Sequence, residues 1–130
     1  MTIHMAHKIL QILIRGKNMN IFEIKRVYPE FVYPNEYLKL MKHDFVDFGE
    51  WYFMTRDQVE KRIAGLKKRY PKRKLVPFAR RDDNDDIACF EMEKGGAVQI
   101  IHDFASSGYE QRKEFTDICS WLQEVTNNGT

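Results

Sequence analysis

The sequence predicts an α+β domain in which helices pack against a four-stranded antiparallel sheet, and three observations carry that expectation. From Leu75 to Phe104 apolar residues alternate in three runs, Leu75 to Ala79, Ile87 to Met92 and Ala97 to Phe104. Two turn-forming stretches, Asp82-Asp83-Asn84-Asp85-Asp86 and Lys94-Gly95-Gly96, separate those runs. Outside this region the apolar spacing is helical, apart from Glu50-Trp51-Tyr52-Phe53-Met54, whose strand formers follow Gly49 and read as the first strand.

Taken in order, Ile3, Ala6, Ile9, Leu10, Leu13 and Ile14 recur at three- and four-residue spacing and predict an amphipathic helix over about 3–15. Ile21, Phe22, Ile24 and Val27 form a weaker run that fits a short strand or a turn of helix, read here as extended. Pro34 suits a first helical turn, and Tyr37, Leu38, Leu40 and Met41 give the stripe of a short helix to about Lys42. Thr55 and Gln58 are spaced as a capping box, with Met54 and Val59 as its hydrophobic staple. Val59, Ile63, Leu66 and Tyr70 then line one face of a helix that stops before Pro71.

In the last strand Val98, Ile100, His102 and Phe104 share one face, and Gln99, Ile101 and Asp103 the other. Gly95-Gly96 can supply the positive φ angles of a two-residue hairpin, giving a meander with one better-buried face. Phe115, Ile118, Cys119, Leu122 and Val125 return to helical spacing, which ends at Asn127-Asn128-Gly129. Helices at both ends of the chain are expected to cover one sheet face.

With 130 residues, 43% hydrophobic and 31% charged, the whole chain is one soluble globular domain by size and composition. A net charge of +2 gives no strong overall attraction to nucleic acid or to anionic membrane. Ile12-Leu13-Ile14 is too short for a secretory core or a membrane span, so the cytoplasm is the expected address. Cys89 and Cys119 read as buried reduced thiols.

No catalytic signature emerges, and the chain is read as a non-enzyme without cofactor or metal. Asp82, Asn84, Asp86 and Glu93 approximate a calcium loop, but Ile87 stands where the sharp bend needs glycine. His4, His7, His43 and His102 lack cysteine partners at zinc spacing, and His102 reads as packed or hydrogen-bonded. Ser106-Ser107-Gly108 is no nucleophile elbow, and no phosphate-binding glycine loop occurs. The basic run Lys67, Lys68, Arg69, Lys72, Arg73 and Lys74 suggests nucleic acid, or else cations at a helix C-terminus and its solvated loop. Tyr70 alone interleaves these charges, so the stacking platform of single-strand binders is missing. A protein partner is favoured instead, met by the polarised surface that the basic run and the acidic turn make on either side of one strand, with Trp51-Tyr52-Phe53 offering an anchor.

Val76-Pro77-Phe78-Ala79, the acidic turn ending in Asp86, Ile87 to Phe90, and Gly96 before an apolar strand resemble the central signature of the SUKH superfamily. Tyr33-Pro34-Asn35-Glu36-Tyr37-Leu38 is similar to the family's helix-opening proline segment, and Phe115 to Val125 to its closing helix. The likeness spans about 30–125; the chain departs from it at Asp85, where the family usually has glycine, and in keeping only Gly49 of a glycine pair. The resemblance implies a bacterial immunity protein that binds and neutralises a cognate toxin, often a nuclease; fungal relatives act in cell-wall regulation. On that view Asp82, Asp83, Asp85 and Asp86 are the contact acids and Trp51 or Tyr52 the anchor; of the acids, only Asp86 stands at a motif position.

Overall fold

The computed structural model describes residues 21–42 and 49–128. The helix expected over 3–15, His4, His7 and His43 lie outside the described residues. Within them, Ile21–Val27 forms α1, Asn35–Leu40 α2, Trp51–Phe53 β1, Arg56–Arg69 α3, Leu75–Arg81 β2, Asp86–Glu91 β3, Val98–His102 β4, Gln111–Phe115 β5 and Ile118–Asn128 α4. The class is α+β, and the sheet is an antiparallel meander in the order β1-β2-β3-β4-β5.

The sheet therefore has five strands among the described residues, where four were expected. The added strand, β5, is Gln-Arg-Lys-Glu-Phe and exposed along nearly its whole length, so no apolar alternation announces it. Its pairing with β4, from Val98↔Phe115 to Ile101↔Gln111, makes it a strand. Phe115 consequently belongs to β5, and α4 starts only after Asp117, whose Oδ1 accepts the Ser120 N–H at 2.8 Å. A second correction is α1, which is helical: Ile24 and Tyr28 are both buried, and the Tyr28 N–H donates to the Ile24 carbonyl at 2.7 Å. That bond closes a helical turn, and Arg26 is exposed where a strand would put it on one face with Ile24 and Tyr28.

The α3 helix forms as expected, down to its cap. Thr55 N–H donates to Gln58 Oε1 at 2.8 Å and Gln58 N–H to Thr55 Oγ1 at 3.2 Å, closing the capping box. Val59, Ile63 and Leu66 are buried along its length, and Tyr70 is buried at its C-cap. Pro77 sits within β2 where β1 no longer runs beside it, because β1 pairs only with Ala79 to Arg81. Its missing N–H leaves no ladder bond unmade there, and a bulge between Pro77 and Ala79 sets the register toward β3. The turn after β3 is longer than a two-residue hairpin: Glu93 and Gly95 carry the positive φ angles of 71° and 57°, and Gly96 instead packs near the Pro34 ring.

Both faces of the sheet carry buried residues, and one holds the much larger core, in line with the expectation of one better-buried face. On the first face Phe78 and Phe90 stack at 4.4 Å, and the Tyr37 ring meets both edge-on at 5.6 and 5.5 Å. Trp121 of α4 closes the other side, edge-on to Phe78 and to Trp51 at 5.3 Å each. On the second face Leu66 and Tyr70 of the α3 region cover Leu75, Ile87, Cys89 and Ile101. The thiols are both free, but only Cys89 is buried; Cys119 is exposed because Trp121, not Cys119, turns into the core. Phe104 also leaves the strand face assigned to it and turns outward with φ at 70°.

The aromatic stack dominates the first face, and Phe78 is wholly buried within it. Phe78→Ala is expected to lower unfolding free energy by about 3–5 kcal/mol, read as a shifted urea midpoint at constant slope.

Candidate interaction surface

At the end of β4, the chain buries an acid. The Asp103 side chain is fully inaccessible, yet it sits in register with the second-face residues Ile101 and Gln99. A carboxylate so placed needs donors. Arg69 grips it through Nε at 2.7 Å to Oδ1 and Nη2 at 2.7 Å to Oδ2, and Arg62 adds Nη1 at 2.9 Å to Oδ2. Phe104 N–H donates to Oδ1 at 2.8 Å. Arg62 and Arg69 are seven residues apart, two turns of α3, so one helix face presents both.

Arg73 continues this pattern just past the helix. It donates through Nη2 at 2.8 Å and Nε at 3.1 Å to Glu91, through Nη1 at 2.9 Å to Glu110, and to Gln111 Oε1 at 2.8 Å. Burial by itself would raise all three carboxyls. For Asp103 the bonds from Arg69 and Arg62 outweigh it, for Glu91 those from Arg73, and for Glu110 its backbone bonds together with Arg73. All three are held below the ordinary carboxylate range.

The basic run is thus divided. Arg69 and Arg73 turn to internal acids, Lys67 lies 5.7 Å from the centre of the Tyr28 ring, and Lys68, Lys72 and Lys74 are exposed with it. The acidic turn divides the other way. Asp82, Asp83 and Asp85 are exposed, whereas Asp86 begins β3 and is largely buried, accepting Arg112 Nε at 2.9 Å and bonding His102 Nδ1 at 2.8 Å. Asp83 pairs with Arg81 through two bonds of 2.7 and 2.8 Å, and these bonds hold its carboxyl below the usual range. Glu93 lies beyond the far end of β3, so no loop can wrap Asp82, Asn84, Asp86 and Glu93 around one ion.

The two aromatic candidates separate as well. Trp51 is 6% exposed and packed on Trp121, so the core claims it. Tyr52 points the opposite way and is half-buried beneath the Arg80 guanidinium at 5.6 Å; burial pushes its hydroxyl up. His102 is hydrogen-bonded, as read from the sequence. With Asp86, Arg112 and Tyr109 it lines an open cleft of about 860 Å³ that Trp51 and Trp121 floor.

Reading by residue type overlooked Asp103, Phe104 and Tyr109. The signal for Asp103 was present, because an acid in phase with Ile101 on a buried strand demands cations from whichever helix crosses it. Among the described residues no group of three or more His, Cys, Asp or Glu converges as a metal site, and no helix is long and apolar enough to cross a membrane. No family model, curated protein or solved structure matches the chain.

The buried acids give stability a pH dependence. Because their folded pKa values are depressed, they contribute stability that is complete above the unfolded carboxylate range of about 4 and is lost as pH falls through the lower folded values. Asp103→Asn should cost about 2 kcal/mol or more at pH 7, and the difference from wild type should shrink as urea titrations move from pH 6 to pH 3. A Cβ on Gly65 would lie 2.7 Å from Arg69 Nη2 in its bonded position. Gly65→Ala should therefore destabilise the wild type, although alanine in a helix interior is ordinarily worth about 1 kcal/mol over glycine. In an Asp103→Asn background, where Arg69 is released, the same change should turn stabilising.

Proposed function

We propose that this chain is a non-enzymatic protein-binding module of the immunity type, which neutralises a cognate toxin by occluding it. The SUKH resemblance motivates the class. The supporting observation is the opposite treatment of the two charge runs: Asp82, Asp83 and Asp85 face solvent, while Arg69 and Arg73 face internal carboxylates. An exposed acidic turn is the charge that a nuclease's phosphate-binding groove accepts, and it speeds encounter with a basic partner. Asp86 supports the surface from beneath through Arg112 and His102. A cytoplasmic location accompanies this reading. The alternative, a nucleic-acid-associated regulator, is left with Lys67, Lys68, Lys72 and Lys74, and its signature is binding that falls steeply with salt.

The test is an affinity pull-down from the source cell, with and without nuclease treatment, followed by purification of the retained protein. A partner that survives nuclease and loses its toxic activity at one-to-one stoichiometry supports the reading; recovery that vanishes with nuclease shifts the function to the lysines. Replacing Asp82, Asp83 and Asp85 by asparagine should slow association tenfold or more at low salt, measured by stopped flow, while folding stability stays within about 0.5 kcal/mol of wild type.

A further inference from the structure

Among the described residues the large hydrophobic side chains left exposed are Val32, Phe104 and Tyr109, at 73%, 61% and 82%. Two of the three belong to one loop, Asp103 to Glu110, between β4 and β5. Phe104 is the more telling. Its φ of 70° lies in the left-handed region, which is costly for a bulky residue and is retained only where the surroundings enforce it. Here they do, and the result is to turn a phenylalanine out of the sheet into water.

The loop is fastened at every stage. Asp103 is held by Arg62 and Arg69, and the buried Glu110 by Arg73. The His102 N–H donates to the Glu110 carbonyl at 2.8 Å, closing the loop's base. Within it Tyr70 Oη donates to the Ala105 carbonyl at 2.7 Å, Tyr109 N–H to the Ser106 carbonyl at 2.9 Å, and Gly108 N–H to Glu110 Oε1 at 2.7 Å. The Arg69 guanidinium lies 4.1 Å from the centre of the Phe104 ring and supports it on one side. Two aromatic side chains thus project from an ordered loop, Phe104 on the side of Arg69 and α3 and Tyr109 on the side of the cleft beside His102, with Ser106-Ser107-Gly108 between them for adaptable polar contact. That combination binds at low entropic cost.

The loop also joins the acidic turn, because the Asp103 N–H donates to the Asp85 carbonyl at 3.1 Å. We propose that the loop from Asp103 to Glu110 is the recognition element of this chain, with Phe104 inserting into an apolar pocket of a protein partner whose rim is rich in lysine and arginine, and Tyr109 meeting the same partner from the cleft side of the loop. The proposal rests on the protein-binding function above and assigns that function its contact surface. The acidic turn meets the basic rim and governs the rate of encounter; Phe104 fills the pocket and, with Tyr109 beside it on the cleft side, governs the lifetime of the complex.

Photo-crosslinking tests the surface whatever the partner's identity. Benzoylphenylalanine is placed singly at the positions of Phe104, Tyr109 and Lys39, the last being exposed on α2, whose Tyr37 packs on Phe78 and Phe90. The expected result is one discrete adduct from the first two positions, with a basic protein, and none from the third. In parallel, Phe104→Gly should weaken binding of the protein retained in the pull-down at least tenfold, chiefly through faster dissociation, while the melting temperature holds or rises because glycine relieves the left-handed backbone. A fall in melting temperature with unchanged affinity would make Phe104 a packing residue and overturn the proposal. Adducts from position 39 alone, with the partner still retained by wild type, would move the interface elsewhere and leave protein binding standing. If wild type retains no nuclease-resistant partner, the underlying function fails with it.

Discussion

A single buried carboxylate sets how the long helix lies on the sheet. The Asp103 side chain has no contact with water, and its charge is sustained by Arg62 and Arg69 together. Those arginines must face the end of β4, which fixes the rotation of α3 about its own axis. With that rotation Leu66 and Tyr70 come down on Leu75, Ile87, Cys89 and Ile101. A buried ion pair is a weak source of net stability, since desolvation offsets most of the attraction. Its value here is in register: an apolar stripe tolerates some rotation, whereas a bidentate guanidinium does not. Gly65 belongs to the same constraint, because the Arg69 side chain lies across the space that a methyl group would fill.

The constraint extends outward from the core. Arg73 carries the same chemistry beyond the helix, tying β3 through Glu91 to the start of β5 through Glu110 and Gln111. Asp103 and Glu110 bracket the β4–β5 loop, so the acids that seat the helix also hold the loop in shape. The neighbouring acidic turn is attached through the Asp85 carbonyl. A surface built this way loses little freedom when it meets a partner.

What was legible in the sequence depended on whether a local rule and the tertiary environment agreed. The α3 helix combined a capping box and a four-three-four stripe, and both appear in the structure, with Met54 and Val59 each buried in the same core. The three strands from Leu75 to Phe104 were likewise visible, with ends displaced by one or two residues. The β5 strand was invisible because it is a polar edge: β4 supplies its hydrogen bonds, and its charges are what a solvent-facing edge needs. The helical state of Ile21 to Val27 was hidden because seven residues fit two periods equally well until Tyr28 is seen bonded back to Ile24 with Arg26 exposed between them. Of the candidate site, the exposed aspartates were readable and the aromatics were not. Residue type favoured Trp51 as an anchor, but the core takes Trp51 and leaves Phe104 outside.

The charge runs show why sequence order misleads about surface. Both runs are comparably dense, and the nearly neutral total of +2 suggests that they balance. Folding treats them unequally. Arginine fits a buried carboxylate in bidentate fashion and gives up its weak hydration readily, so Arg69 and Arg73 are drawn inward, while the strongly hydrated lysines remain in water. Three of the four aspartates in the turn stay outside because a hairpin tip has no core to face. The basic run therefore presents scattered flexible ammonium groups, and the acidic run presents carboxylates on a short turn fastened to a rigid loop. On the proposed reading, order of this kind would select one partner over others, since the contacts would already be in place when that partner arrives.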